Sequence, residues 1–351
     1  MAEVPSPISQ RKRIGFALVA ILVPLTLLLL ATEAILTIRF PIHSADMSGA
    51  YQYDEELGVR VKPNLHWTDT TDHYRELRTN AKGTVNLQES FADYRRLVFA
   101  VGDSYTEGIG VGLDSSYPFQ LDMQLNLGTN GYQKEYGVVN LGLAGYGLQQ
   151  ATLTARRYAA EIGKPAFILY LAAHNDPIDD RRFSNGDSHR YHVDGNPNVG
   201  LSPGLIRIVS STQLGKRLRR ALSPSRRRRG RMNKELAQTR KDAPKPPGWS
   251  ELQEAHLTKL KEAAADLDAA LIIGFAGWGD DYESLRDWAK REGVTFADWQ
   301  TQSESMIEAF PALPRHNSHS GGHLRPWVYR LIAESMADQI RRHTKQIDDA
   351  R

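Results

Sequence analysis

The segment Leu97-Val-Phe-Ala-Val-Gly-Asp-Ser-Tyr-Thr106 runs apolar with strand character, breaks at Gly102, and ends in a short polar turn that presents Ser104. Open α/β sheets bind their ligands at the carboxyl ends of strands. Ser104 therefore stands where a nucleophilic hydroxyl belongs.

The pattern continues on both sides of this segment. Strands are predicted near residues 97–101, 137–141, 166–172, 270–275 and 294–297, and helices near 117–127, 148–162, 251–267, 282–291 and 327–342. Strands alternating with helices imply parallel βαβ units, an α/β fold class and a three-layer α/β/α sandwich. Residues 39–90 carry scattered aromatic and polar residues with Pro41, Pro63 and Gly83, which predicts an irregular extension. Residues 177–248 break the alternation with Asn, Gly, Pro and a basic run, and read as an insertion.

Between Lys216 and Lys234 there are ten Lys or Arg and no Asp or Glu. The run reads first as a solvated loop, and second as a contact for anionic head groups or an acidic polysaccharide, with Arg226, Arg227, Arg228 and Arg229 at its centre.

With 351 residues, 41% hydrophobic and 24% charged, the chain can bury a large core, which excludes disorder throughout. The formal net charge of +3 says little beside the local asymmetry. There is no cysteine, so disulfides and thiolate metal sites are excluded.

Residues 14–32 contain no charge, and at about 1.5 Å per residue they nearly cross a hydrocarbon core of roughly 30 Å. Residues 14–38 are thus expected to form a transmembrane signal anchor, with Pro24 tolerated inside it and Glu33 at the outer interface. Arg11, Lys12 and Arg13 precede it, so residues 1–13 form a cytoplasmic tail and the rest lies outside the cytoplasm, on the periplasmic side of an inner membrane. No nucleic-acid partner is expected there. The alternative is a cleaved secretory signal, for which Thr32-Glu-Ala34 is a poor cleavage site.

Three motifs follow three predicted strands: Gly102-Asp-Ser-Tyr-Thr-Glu-Gly108, Leu141-Gly-Leu-Ala-Gly-Tyr-Gly147 and Ala172-Ala-His-Asn-Asp176. In this order they resemble the blocks of the SGNH, or GDSL-type, hydrolase superfamily, over roughly residues 95–345 apart from the insertion, within a domain expected at residues 91–345. The resemblance implies a mostly parallel, flavodoxin-like sheet and a serine ester hydrolase. It implies Ser104 as nucleophile, and the backbone N–H groups of Ser104 and Gly145 with the Asn175 side-chain amide as an oxyanion hole. An ester attacked by a hydroxyl develops negative charge on its carbonyl oxygen, which such donors stabilise.

The base implied by the resemblance is His323, in Ser320-Gly-Gly-His-Leu-Arg-Pro326. An imidazole can take the serine proton near neutral pH and return it to the leaving group. The family usually has aspartate three residues earlier, where this chain has Ser320, so the group orienting the base passes to Ser320, a backbone carbonyl or a carboxylate from elsewhere. Asp103 and Asp176 are secondary candidates, read as turn and hydrogen-bond residues that shape the loops of the site, while His174 at a strand end reads either as lining the pocket or as structural. His316, His319 and His323 are closely spaced, but Pro314, Gly321 and Gly322 keep them off one continuous helix, and no metal is assigned. A glycosidase-type carboxylate pair has only the proximity of Asp103 and Asp176 in its favour. No cofactor is implied.

The expectation is a membrane-anchored O-acyl or acetyl esterase acting on an envelope glycan or lipid, or an acyltransferase if a sugar hydroxyl replaces water. The alternative is a noncatalytic envelope binding or assembly protein with a degenerate site.

Overall fold

The structure is a computed structural model and describes residues 10–39, 50–69, 75–186, 212–214, 217, 251–316 and 323–349. The chain divides into two compact units, residues 1–44 with 200–243 and residues 45–199 with 244–351.

In the first unit, α1 (Gln10–Arg39) continues through Pro24. Its segment Gly15–Arg39 contains an 18-residue stretch with a mean hydropathy of 2.5 and none of that stretch buried, and is long and apolar enough to cross a membrane. The Glu33 carboxylate accepts the backbone N–H groups of Gln213 at 2.5 Å and Leu214 at 2.9 Å. Arg226, Arg227, Arg228 and Arg229 lie outside the described residues.

The second unit begins with two antiparallel ladders, β1 (Tyr51–Asp54) with β2 (Gly58–Val61) and β3 (His66–Asp69) with β4 (Arg75–Arg78), in the segment read from sequence as irregular. Strands of four residues are too short for a two-residue period to stand out. The alternation then follows as β5 (Arg96–Gly102), α2 (Ser104–Glu107), α3 (Tyr117–Asn126), the short pair β6 (Leu127–Gly128) and β7 (Gly131–Tyr132), β8 (Tyr136–Asn140), α4 (Leu148–Glu161), β9 (Phe167–Ala172) and α5 (Asp176–Ser184). Beyond the insertion come α6 (Glu251–Asp266), β10 (Ala270–Phe275), α7 (Asp280–Glu292), β11 (Thr295–Phe296), α8 (Gln300–Ala309) and α9 (Pro326–Asp349). Helix α5 occupies the first residues of the expected insertion, and α8 is an addition to the expected elements.

Five strands form one parallel sheet in the order β11-β10-β9-β5-β8, with Gly102 opposite Leu171 and Gly274 also opposite Leu171. In chain order this is the flavodoxin-like 2-1-3-4-5 arrangement, whose direction reverses between β5 and β9.

Strands covered on both faces read as near-continuous apolar runs, and Phe167-Ile-Leu-Tyr-Leu-Ala172 is buried throughout. Alternate side chains serve opposite layers. Val98, Ala100, Leu169 and Leu171 pack with Tyr117 and Leu121 of α3 and Val328, Ile332 and Met336 of α9. Phe99, Val101, Ile168 and Tyr170 pack with Leu148 of α4, Leu257 and Leu260 of α6, and Leu285 and Trp288 of α7. A fully buried Leu or Ile stabilises by about 1.5–3 kcal/mol, whereas an exposed pair such as Arg156 with Asp266 contributes about 0–1 kcal/mol. The two apolar layers therefore hold the sheet, and the sheet positions its carboxyl ends.

Candidate active site

The carboxyl end of β5 turns sharply into α2. Gly102 has φ +150°, and a Cβ there would meet Thr106 Oγ1 at 2.5 Å, so only glycine lets the chain turn this closely. Asp103 caps α2 by accepting the Tyr105 N–H at 2.8 Å, and Gly108 ends it in the left-handed region. Ser104 is thereby fixed, half-buried, at the first position of a one-turn helix.

His323 lies immediately before α9, 219 residues further along the chain, and its Nε2 is 2.8 Å from Ser104 Oγ. In the tautomer that leaves Nε2 as acceptor, the Ser104 hydroxyl donates to it. The Tyr105 ring stands 5.1 Å from the imidazole, tilted by 43°, and walls one side of it. Ser320 lies outside the described residues.

Gly145 follows β8 with φ +86°, a conformation L side chains rarely adopt, and its missing Cβ faces open space. Asn175 ends the turn after β9. Its Nδ2 donates to Asp103 Oδ2 at 2.9 Å and to Asp179 Oδ2 at 2.7 Å. A primary amide carries two hydrogens, so Asn175 must release one of these carboxyls before it can donate to a substrate. Asp179 was not singled out from sequence, although its place four residues after Asn175 puts both at one helix face.

Asp103 approaches Ser104 Oγ only at 3.5 Å, the limit of a hydrogen bond. Burial pushes its carboxyl up to about 7, against the opposing bonds from Asn175 and the Tyr105 N–H, while Asp179 and Glu107 push further upward. Asp176 closes the same turn, accepting from Tyr170 Oη at 2.5 Å and the Ala173 N–H at 2.8 Å, and burial followed by the neighbouring Asp103 raises it well above the usual carboxylate range. Through these bonds Asp103 and Asp176 hold the turns that follow β5 and β9. His174 leans away toward β10, with Nδ1 2.6 Å from Asp281 Oδ2 and its ring edge-on to Phe275 at 4.8 Å. His316 packs against Trp278 at 5.5 Å.

The raised acids set a sign for stability. Between about pH 4 and pH 7 the folded chain keeps the Asp103 proton that the unfolded chain, near 3.8, has lost, so this group's contribution to stability falls as pH rises through that window. Asp176 acts in the same sense, while His256, lowered by burial, acts in the opposite one. Asp103→Asn removes one of these titrating groups. Urea midpoints of the parent should decline relative to the variant across that window, and a difference independent of pH would contradict the assignment.

No protein-family model matches the chain, and no curated protein matches it. Among solved structures it is similar to a member of the lipolytic protein G-D-S-L family from Veillonella parvula DSM 2008, at 14% identity over 69% of this chain and 96% of that one, with a TM-score of 0.38. It is also similar to TesA, at 13% identity over 68% and 95% of the two chains with a TM-score of 0.38. A third is a catalytic mutant of an acetylxylan esterase from Geobacillus stearothermophilus, at 14% identity over 70% and 94% with a TM-score of 0.37.

Proposed function

We propose that this chain is a serine ester hydrolase of the SGNH type, with Ser104 as nucleophile and His323 as base. The observation that carries this is the 2.8 Å contact between Ser104 Oγ and His323 Nε2, made by residues 219 positions apart at the switch point of the sheet.

Ser104 Oγ attacks the acyl carbon of an ester and its proton passes to His323 Nε2. The Ser104 and Gly145 N–H groups, joined by the Asn175 amide once it turns from Asp103 or Asp179, stabilise the tetrahedral oxyanion. Collapse breaks the bond to the alcohol oxygen, which leaves with the proton from His323. Water then attacks the acyl-serine, gives a proton to His323, and the acid departs as Ser104 recovers that proton. The candidate span in α1 supports an anchored enzyme working on an envelope O-acylated glycan or lipid, with a sugar hydroxyl in place of water giving acyl transfer.

The test is labelling of the full chain in detergent with a fluorophosphonate probe, beside turnover of p-nitrophenyl acetate. Labelling confined to Ser104, together with turnover, is expected. A folded protein that neither labels nor turns over any acetyl ester is a binding protein, and the proposal fails.

A further inference from the structure

Gly145 acts through its backbone, so the turn that carries it must be held against Ser104. Gly142 lies so close to α2 that a Cβ there would meet Glu107 N at 2.5 Å. The Leu143 N–H donates to Gly102 O at 3.0 Å, and the Ala144 N–H donates to Glu107 Oε2 at 2.7 Å. The other oxygen, Glu107 Oε1, accepts from Tyr51 Oη at 3.1 Å. On the far side of Gly145, Tyr146 Oη donates to the Val59 carbonyl at 2.5 Å, and burial keeps that phenol protonated. Glu107 is only 3% exposed and Tyr51 fully buried.

A carboxyl is costly to bury, and an apolar side chain would fill the same space without that penalty. Glu107 instead sits three residues after Ser104 on the same helical turn, gripping the residue before Gly145. One rigid turn thus carries the nucleophile and the clamp on the second backbone donor. Tyr51 and Val59 belong to β1 and β2, so the segment between α1 and the sheet supports both flanks of the glycine.

We propose that Glu107 is a positioning residue that sets the Gly145 N–H against the Ser104 N–H, with Tyr51 and the β1–β2 ladder as its buttress. This rests on the hydrolase reading above. The pairing acts only on charge developed in the transition state, so its loss should lower kcat and leave KM nearly unchanged.

The experiment uses the full chain in detergent with p-nitrophenyl acetate, counting active sites by fluorophosphonate labelling and following amide hydrogen exchange at residues 144–145. A displacement of about 1 Å near the chemistry costs on the order of 100-fold, so Glu107→Ala should lower kcat per labelled site by about that factor with KM within about twofold. Glu107→Gln should recover most of it, since its amide oxygen can accept the Ala144 N–H while its nitrogen donates to Tyr51 Oη. Tyr51→Phe, which keeps the packing, should lower kcat by a smaller factor, and exchange at residues 144–145 should quicken in Glu107→Ala and Tyr51→Phe. An unchanged kcat per labelled site, or unchanged exchange in folded variants, overturns the proposal. A parent that neither labels nor turns over ester sinks the hydrolase reading instead, and unaltered exchange in Glu107→Ala then refutes the clamp separately.

Discussion

Ser104→Ala is expected to abolish ester turnover, by about 10⁴-fold or more in kcat, while Tm moves by no more than about 2 °C. The two effects separate because the hydroxyl is half-buried and makes one good hydrogen bond, to His323 Nε2 at 2.8 Å, with Asp103 only at the 3.5 Å limit. Losing such a bond at a half-buried position changes stability little. Calorimetry and ester kinetics on the same preparation check this, and a parallel loss of folding would mark the serine as structural.

His323→Ala should remove nearly as much activity, on the order of 10³- to 10⁴-fold, because a serine hydroxyl is a weak nucleophile without a base to take its proton. The two residues act as one unit, so the double variant should be no worse than Ser104→Ala alone. Free imidazole should partly restore His323→Ala and leave Ser104→Ala untouched. Losses that multiply in the double variant would mean that the 2.8 Å contact is not the working one.

The central strands were legible because burial on both faces writes them as apolar runs; residues 97–101, 137–141, 166–172 and 270–275 match β5, β8, β9 and β10 to within a residue or so. Helix α5 was missed because Asp-Pro-Ile-Asp-Asp-Arg-Arg-Phe-Ser has no apolar stripe, and α8 for the same reason. Its buried positions are the acids Asp176, Asp179 and Asp180, whose partners come from other elements and leave no local period. The same holds for Glu107, since its bonds to Ala144 and Tyr51 cross 37 and 56 residues. Of the sequence-derived site, the structure brings Ser104 and His323 into contact and sets Asn175 upon Asp103, while His174 turns to Asp281.

Ser104 follows β5 and His323 precedes α9, 219 residues later. A chain still being synthesised therefore holds Ser104 before His323 has been added. If the proposed dyad does the work, the hydroxyl gains its imidazole only once α9 has docked on the sheet, and a fragment cut before residue 323 is expected to be silent toward esters.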